Sequence, residues 1–89
     1  MNWLPIHIGI DIAVFPNPVS DILQIKFERE IDKDVTLYVS DLCGRVVMRQ
    51  TIEAGNLQET IDVRHVLRGF YTYRILQNSH CTLGKLQLE

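Results

Sequence analysis

The chain has 89 residues, of which 46 % are hydrophobic and 22 % are charged, and its formal net charge is −2. This length allows one small domain that buries about 60–65 % of its unfolded surface, and the composition is too apolar for a disordered tail. The basic residues are scattered, which argues against a nucleic-acid-binding face, and no apolar stretch reaches the roughly 18–20 residues of a membrane-spanning helix.

The chain begins with an apolar stretch, residues 1–12, that lacks the basic start of a signal peptide. We expect it to be a linker or the end of a preceding cargo region. Pro16, Asn17 and Pro18 follow it. Because each proline lacks a backbone donor and holds the preceding residue extended, this segment is predicted to lead, without helix, into a β-domain over residues 13–89.

Apolar and polar residues then alternate along most of the chain, as in half-buried β-strands. Together with the short apolar stretch before the prolines, this alternation predicts about seven strands. The later ones are expected over residues 23–27, 35–40, 45–53, 57–63, 70–77 and 81–88. Strands of this length, separated by turn signals, predict an all-β fold, a β-sandwich of antiparallel strands.

The connections are predicted from turn chemistry. Gly44 supplies the positive φ of a tight hairpin, residues 78–79 form another hairpin turn, and residues 64–69 allow one 3₁₀ turn. Gly84 lies within the last strand and suggests a bulge. The spacing up to Tyr71 resembles a tyrosine corner, in which the hydroxyl bonds backbone a few residues upstream.

No constellation of catalytic or metal-binding residues stands out. His7, His65 and His80 lack metal-ligand spacing, and Cys43 and Cys81 lie far apart, so we expect no enzyme activity, no metal and no cofactor. We expect both cysteines to be buried free thiols, with one disulfide as the alternative.

Several short motifs occur in order: Phe-Pro-Asn-Pro at 15–18, Asp-Leu-Cys-Gly-Arg at 41–45, Gly-Phe-Tyr at 69–71 and Lys-Leu-Gln-Leu at 85–88. Together they resemble the C-terminal sorting domain of the type IX (Por) secretion system of the Bacteroidetes. The resemblance implies an immunoglobulin-like sandwich, placed last in a secreted protein. It also implies recognition by the outer-membrane machinery after Sec export. A surface sortase then usually removes the domain and anchors the cargo at the cell surface.

The resemblance also implies which residues carry the sorting signal. They are Pro16, Asn17, Pro18, Asp41, Gly44, Arg45, Gly69, Tyr71, Lys85, Leu86, Gln87, Leu88 and Glu89. The implied partners are outer-membrane components of the type IX system, the sortase and the covalently linked N-terminal cargo domain, with no nucleic acid. The cysteines and the acidic last residue depart from the family pattern.

Some alternatives stay open at this stage. Arg45 is expected to be a solvated charge, a partner of Asp41 or a receptor contact. The terminal strand is expected to leave an open sheet edge, which suits strand addition by a partner and self-association. The alternative function is a non-catalytic adhesive or carbohydrate-binding module of a secreted enzyme, which would need exposed aromatic residues on one face or an acidic calcium loop.

Overall fold

A computed structural model of the chain describes residues 11–77 and 80–89, and these residues form seven β-strands and no helix. The strands are β1 (Ile12–Phe15), β2 (Ile22–Phe27), β3 (Val35–Ser40), β4 (Val46–Ile52), β5 (Gln58–Asp62), β6 (Gly69–Gln77) and β7 (His80–Leu88). The all-β prediction is therefore confirmed. Residues 1–10 of the predicted linker, which include His7, lie outside the described residues. The predicted turn at 78–79 also lies outside them.

The strands form two antiparallel sheets. One sheet has the order β1-β2-β5 and the other has the order β4-β3-β6-β7. The pairs β1–β2, β3–β4 and β6–β7 each lie within one sheet, whereas the β2–β3, β4–β5 and β5–β6 connections pass from one sheet to the other. This arrangement is consistent with the expected immunoglobulin-like sandwich.

The core lies between the sheets because the alternation of each strand sends every second side chain inward. In β3, Val35, Leu37 and Val39 are at most 2 % exposed, whereas the residues between them are half-buried on the outer face. A buried residue outside the strands, Val19, completes the core directly after the prolines. Its position shows that the Pro-Asn-Pro segment packs against the sandwich.

The structure corrects the prediction for the cysteines. Cys43 and Cys81 are free thiols, as expected, but both are exposed, whereas they were expected to be buried. Cys43 lies in the turn between β3 and β4, and Cys81 lies on the outward phase of β7. Neither position therefore faces the core.

Gly84 does not form the predicted bulge, because β6 and β7 stay in register from Gly69–Leu88 to Gln77–His80. It lies opposite Tyr73, and a Cβ at this position would be 2.3 Å from the Tyr73 ring. A side chain at this position therefore requires the Tyr73 ring, which covers the glycine, to move.

The Gly84→Ala substitution is expected to lower the free energy of unfolding by about 1–2 kcal/mol, because the Tyr73 ring must move to admit the methyl group. The measurement is urea unfolding of the wild type and the variant. A Tyr73→Ala background is the control, since it removes the clash and should make the glycine substitution nearly neutral. Equal losses in both backgrounds would contradict this explanation.

Candidate functional site at the motif end of the sandwich

The Pro-Asn-Pro segment is bound to the C-terminal strand. The Asn17 side chain donates from Nδ2 to the carbonyl of Lys85 (3.0 Å) and accepts at Oδ1 from the backbone N–H of Gln87 (3.1 Å). The Asn17 side chain thus makes two hydrogen bonds of the kind that the backbone of a neighbouring strand would make. Asparagine is suited to this position because its side chain carries a donor and an acceptor, as a peptide group does.

The chain after Asn17 continues this pairing with its backbone. The N–H of Val19 donates to the carbonyl of Gln87, and the N–H of Glu89 donates to the carbonyl of Val19, both over 2.8 Å. Val19 and Leu88 form a parallel bridge. The first and last of the predicted motifs, about seventy residues apart in sequence, are therefore one structural unit.

The motif at 41–45 forms a tight turn organised by the carboxylate of Asp41. Its oxygen Oδ1 accepts from the backbone N–H groups of Cys43 and Arg45, each over 2.9 Å. Its oxygen Oδ2 accepts from Nε of Arg45 over 3.1 Å. Gly44 has φ of +87°, as predicted for this turn. Two expectations for Arg45 hold together, because its side chain is paired with Asp41 and is also 82 % exposed.

The late-strand motif contains the predicted tyrosine corner. The hydroxyl of Tyr71 donates to the carbonyl of Leu67 over 2.5 Å, and the Tyr71 ring lies in the core. Gly69 has φ of +150° at the start of β6, where it pairs with Leu88. The predicted turn before it is closed by a bond from the N–H of Val66 to the carbonyl of Val63.

Arg68 is a structural residue that the sequence analysis did not identify. Its Nη2 donates to the carbonyls of Val63 (2.5 Å) and Val66 (2.7 Å). Its Nη1 donates to the carbonyls of Ser20 and Glu89. The guanidinium thus joins the turn before β6 to the segment after the prolines and to the C-terminal residue.

Strand pairing brings the motifs to one end of the sandwich. Ser40, just before the Asp41 turn, pairs with Thr72 of β6, and Thr72 pairs with Lys85 of β7. A groove of about 390 Å³ lies at this end, and residues of every motif line it. The lining residues are Asn17, Leu42, Phe70, Tyr71, Thr72, Lys85, Leu86 and Gln87. We call this region the motif end.

The residues predicted to carry the sorting signal differ in what they offer to a partner. Leu86 and Leu88 are each 2 % exposed, so they and Tyr71 stabilise the domain from within. By contrast, the described positions exposed to solvent include Pro16, Asn17, Pro18, Gly44, Arg45, Lys85 and Glu89. Leu42 and Phe70, which lie within the motifs but are not among the residues predicted to carry the signal, are 75 % and 63 % exposed beside the groove.

The edge of β7 is open over only part of its length. Gln87 bonds Asn17 and Val19 on the side of β7 that faces away from β6. The backbone groups of every second residue in a strand point to the same side, so those of Cys81 and Leu83 also face away from β6. The Asn17 side chain and the Val19 backbone cover the edge near Lys85 and Gln87. Among residues 11–77 and 80–89, the expected open edge is therefore limited to the first half of the strand.

Within residues 11–77 and 80–89, no group of three His, Cys, Asp or Glu side chains is placed to hold a metal ion. Nor does this part of the chain contain a helix with the length and apolar character needed to cross a membrane.

Two carboxylates are expected to make the stability of the domain decrease at low pH. The backbone N–H of Arg45 lowers the pKa of Asp41, with further hydrogen bonds from Cys43 N–H and the Arg45 side chain. The guanidinium of Arg64 holds the pKa of Asp62 well below its ordinary value. A lowered folded pKa stabilises the fold above the unfolded pKa and loses that contribution as pH falls through the folded value.

The free energy of unfolding is therefore expected to fall between about pH 5 and pH 2. An Asp41→Asn, Asp62→Asn double variant should show a shallower decline, because its amides do not titrate. The measurement is the urea midpoint at several pH values in low salt, since salt screens exposed pairs. An equally steep decline in the double variant would show that other groups are responsible.

Comparison with known proteins adds a family and a fold. Residues 13–89 match the model of a family described as the secretion system C-terminal sorting domain. No curated protein matches the chain significantly.

Among solved structures, the dimeric latent PorU of Porphyromonas gingivalis is similar, with a TM-score of 0.63 and 20 % identity. The similarity covers 89 % of this chain and only 9 % of that protein, so it concerns the fold alone.

Proposed function

Because this chain belongs to the family of secretion system C-terminal sorting domains, we propose that its motif end is the surface by which the type IX machinery recognises it. The family acts as a sorting signal with that system, and its members are in general not catalytic. Secretion across the outer membrane follows from this role. The proposal adds where on the domain the signal is read.

The convergence of the motifs supports this assignment. The segment at 16–18, the turn at 41–45, the start of β6 and the end of β7 lie far apart in sequence, yet they surround one groove. Core packing accounts for Leu86 and Leu88, and turn geometry accounts for Gly44. Neither accounts for exposed Phe70 and Lys85 beside the same groove. An exposed apolar ring with a nearby cation is typical of a protein contact.

We further propose the route and the partners in detail. The domain passes through the periplasm with its N-terminal cargo attached, and an outer-membrane component of the type IX system binds the motif end. A surface sortase then removes the domain and anchors the cargo at the cell surface. The domain itself has no catalytic part in these steps.

The experiment places this chain behind a Sec-exported fluorescent cargo, in cells with and without a working type IX system. Surface fluorescence is expected only in the competent cells. A Phe70→Asp, Lys85→Glu variant, which alters two exposed groove residues, should be retained inside the outer membrane while still unfolding cooperatively. Normal delivery of this folded variant would exclude the motif end as the recognised surface.

The alternative function, an adhesive or carbohydrate-binding module, draws support from one observation. Phe70 is 63 % exposed, and exposed aromatic rings can stack on sugars. Retention of the wild-type fusion in both strains, together with specific binding of the purified domain to a glycan array, would favour this alternative over sorting.

A further inference from the structure

The outer face of the four-stranded sheet carries a row of side chains that crosses all four strands. Arg49 of β4 pairs with Tyr38 of β3, and Tyr38 pairs on its other side with Arg74 of β6. Arg74 in turn pairs with Leu83 of β7. The guanidinium carbons of Arg74 and Arg49 are 4.8 and 5.9 Å from the centroid of the Tyr38 ring. Cation–π contacts of this kind hold the two charges in place on the surface.

The neighbouring rows extend this surface towards the motif end. Lys85 lies beside Thr72, and Phe70 lies beside Gln87. Leu83, in the first row, is 72 % exposed. A depression of about 260 Å³ on this surface is lined by residues that include Val46, Thr72, Arg74 and Leu83. We call the outward-facing residues of these rows the cationic face.

The charge on this face is of one sign. Arg49, Arg74 and Lys85 point outward from the sheet, and the alternation of the four described strands places no Asp or Glu on that side. The chain as a whole nevertheless has a net charge of −2. Its carboxylates therefore lie elsewhere, in loops, at strand ends and on the other sheet. Segregation of this kind gives one face a positive potential that attracts acidic partners.

We propose that the cationic face is a docking surface for an acidic, partly apolar protein surface of the secretion machinery; this inference rests on the proposed sorting function. Charge complementarity selects the acidic partner. Exposed Leu83 favours a protein over a polyanionic glycan, because an aliphatic side chain gains little from contact with a charged sugar chain. Arg and aromatic residues held in place before binding are also the residue types that contribute most at protein interfaces.

The test is surface delivery of the full chain fused to a fluorescent cargo in type IX-competent cells. An Arg49→Glu, Arg74→Glu variant should reduce delivery about tenfold, because like charges would meet across the interface. The matched control is Lys26→Glu, Lys33→Glu, which makes the same change in net charge away from this face. It should be delivered as the wild type is, and so should the charge-conserving Arg49→Lys, Arg74→Lys variant.

Further arms keep the outcomes separate. Leu83→Asp alters an exposed side chain without removing a buried contact, so it should reduce delivery even if the double charge reversal impairs folding. Thermal unfolding identifies any misfolded variant. Normal delivery of both folded variants would overturn the cationic face while leaving the sorting function intact. Failure of the wild-type fusion would instead overturn the sorting function.

A last arm separates a protein partner from an anionic glycan. The purified wild-type domain is titrated with lipopolysaccharide micelles. We expect no binding that depends on Arg49 and Arg74. Binding that disappears in the charge-reversed variant would overturn the protein occupant in favour of the glycan.

Discussion

Deletion of residues 85–89 is expected to unfold the domain as well as to abolish secretion. It removes Leu86 and Leu88, which are each 2 % exposed in the core, and loss of such a leucine costs about 2–5 kcal/mol. The deletion also removes the partners of Asn17 and Val19. A domain of this size has a total stability of roughly 4–13 kcal/mol, so the combined loss is comparable to the whole.

Circular dichroism and thermal unfolding of the deletion variant are the measurements. The matched control is Lys85→Ala, Gln87→Ala, which changes outward-facing side chains and keeps both leucines. This control should unfold cooperatively near the wild-type temperature. A deletion variant that also unfolds cooperatively at that temperature would contradict the prediction. Secretion assays on the deletion alone therefore cannot separate a lost signal from a lost fold.

The strands were predictable because their signal is local. Alternation along β3 and β6 reports which side chains face the core, and this pattern requires no knowledge of the partner strands. The tyrosine corner is also local, since Leu67 and Tyr71 are four residues apart. Short-range geometry of this kind can be inferred from one sequence.

Features that depend on strand partners were not predictable. Gly84 was interpreted as a bulge because its partner, Tyr73, is known only once the β6–β7 register is known. The cysteines were expected to be buried because their residue type favours the core. Cys81 instead falls on the outward phase of β7, a phase that a shift of one residue would reverse.

The candidate site shows the same division. The motif residues stand in order along the chain, but order alone does not place Asn17 beside Lys85. That contact depends on the Pro-Asn-Pro segment running along the edge of β7, which is a property of the topology. Arg68 was missed for a related reason, because its acceptors Ser20 and Glu89 are distant in sequence.

The Arg68→Met substitution is expected to lower the free energy of unfolding by about 3 kcal/mol. Hydrogen bonds from a charged donor contribute about 1.5–3 kcal/mol each, and the two to Val63 and Val66 are part-buried, whereas those to Ser20 and Glu89 are more exposed. Methionine keeps the length of the side chain but donates no hydrogen bond. The measurement is urea unfolding of the wild type and the variant.

Arg64→Met is the matched control, because Arg64 also carries an exposed guanidinium in the same turn, and its side chain bonds the nearby carboxylate of Asp62. It should lower the urea midpoint less than Arg68→Met does, since exposed pairs contribute weakly. Similar midpoints for Arg68→Met and the wild type would show that water replaces the four carbonyl contacts. A large loss confined to Arg68 would instead mean that this one side chain holds the Pro-Asn-Pro segment, the turn before β6 and the C-terminus together. Its removal should then weaken secretion through the geometry of the motif end.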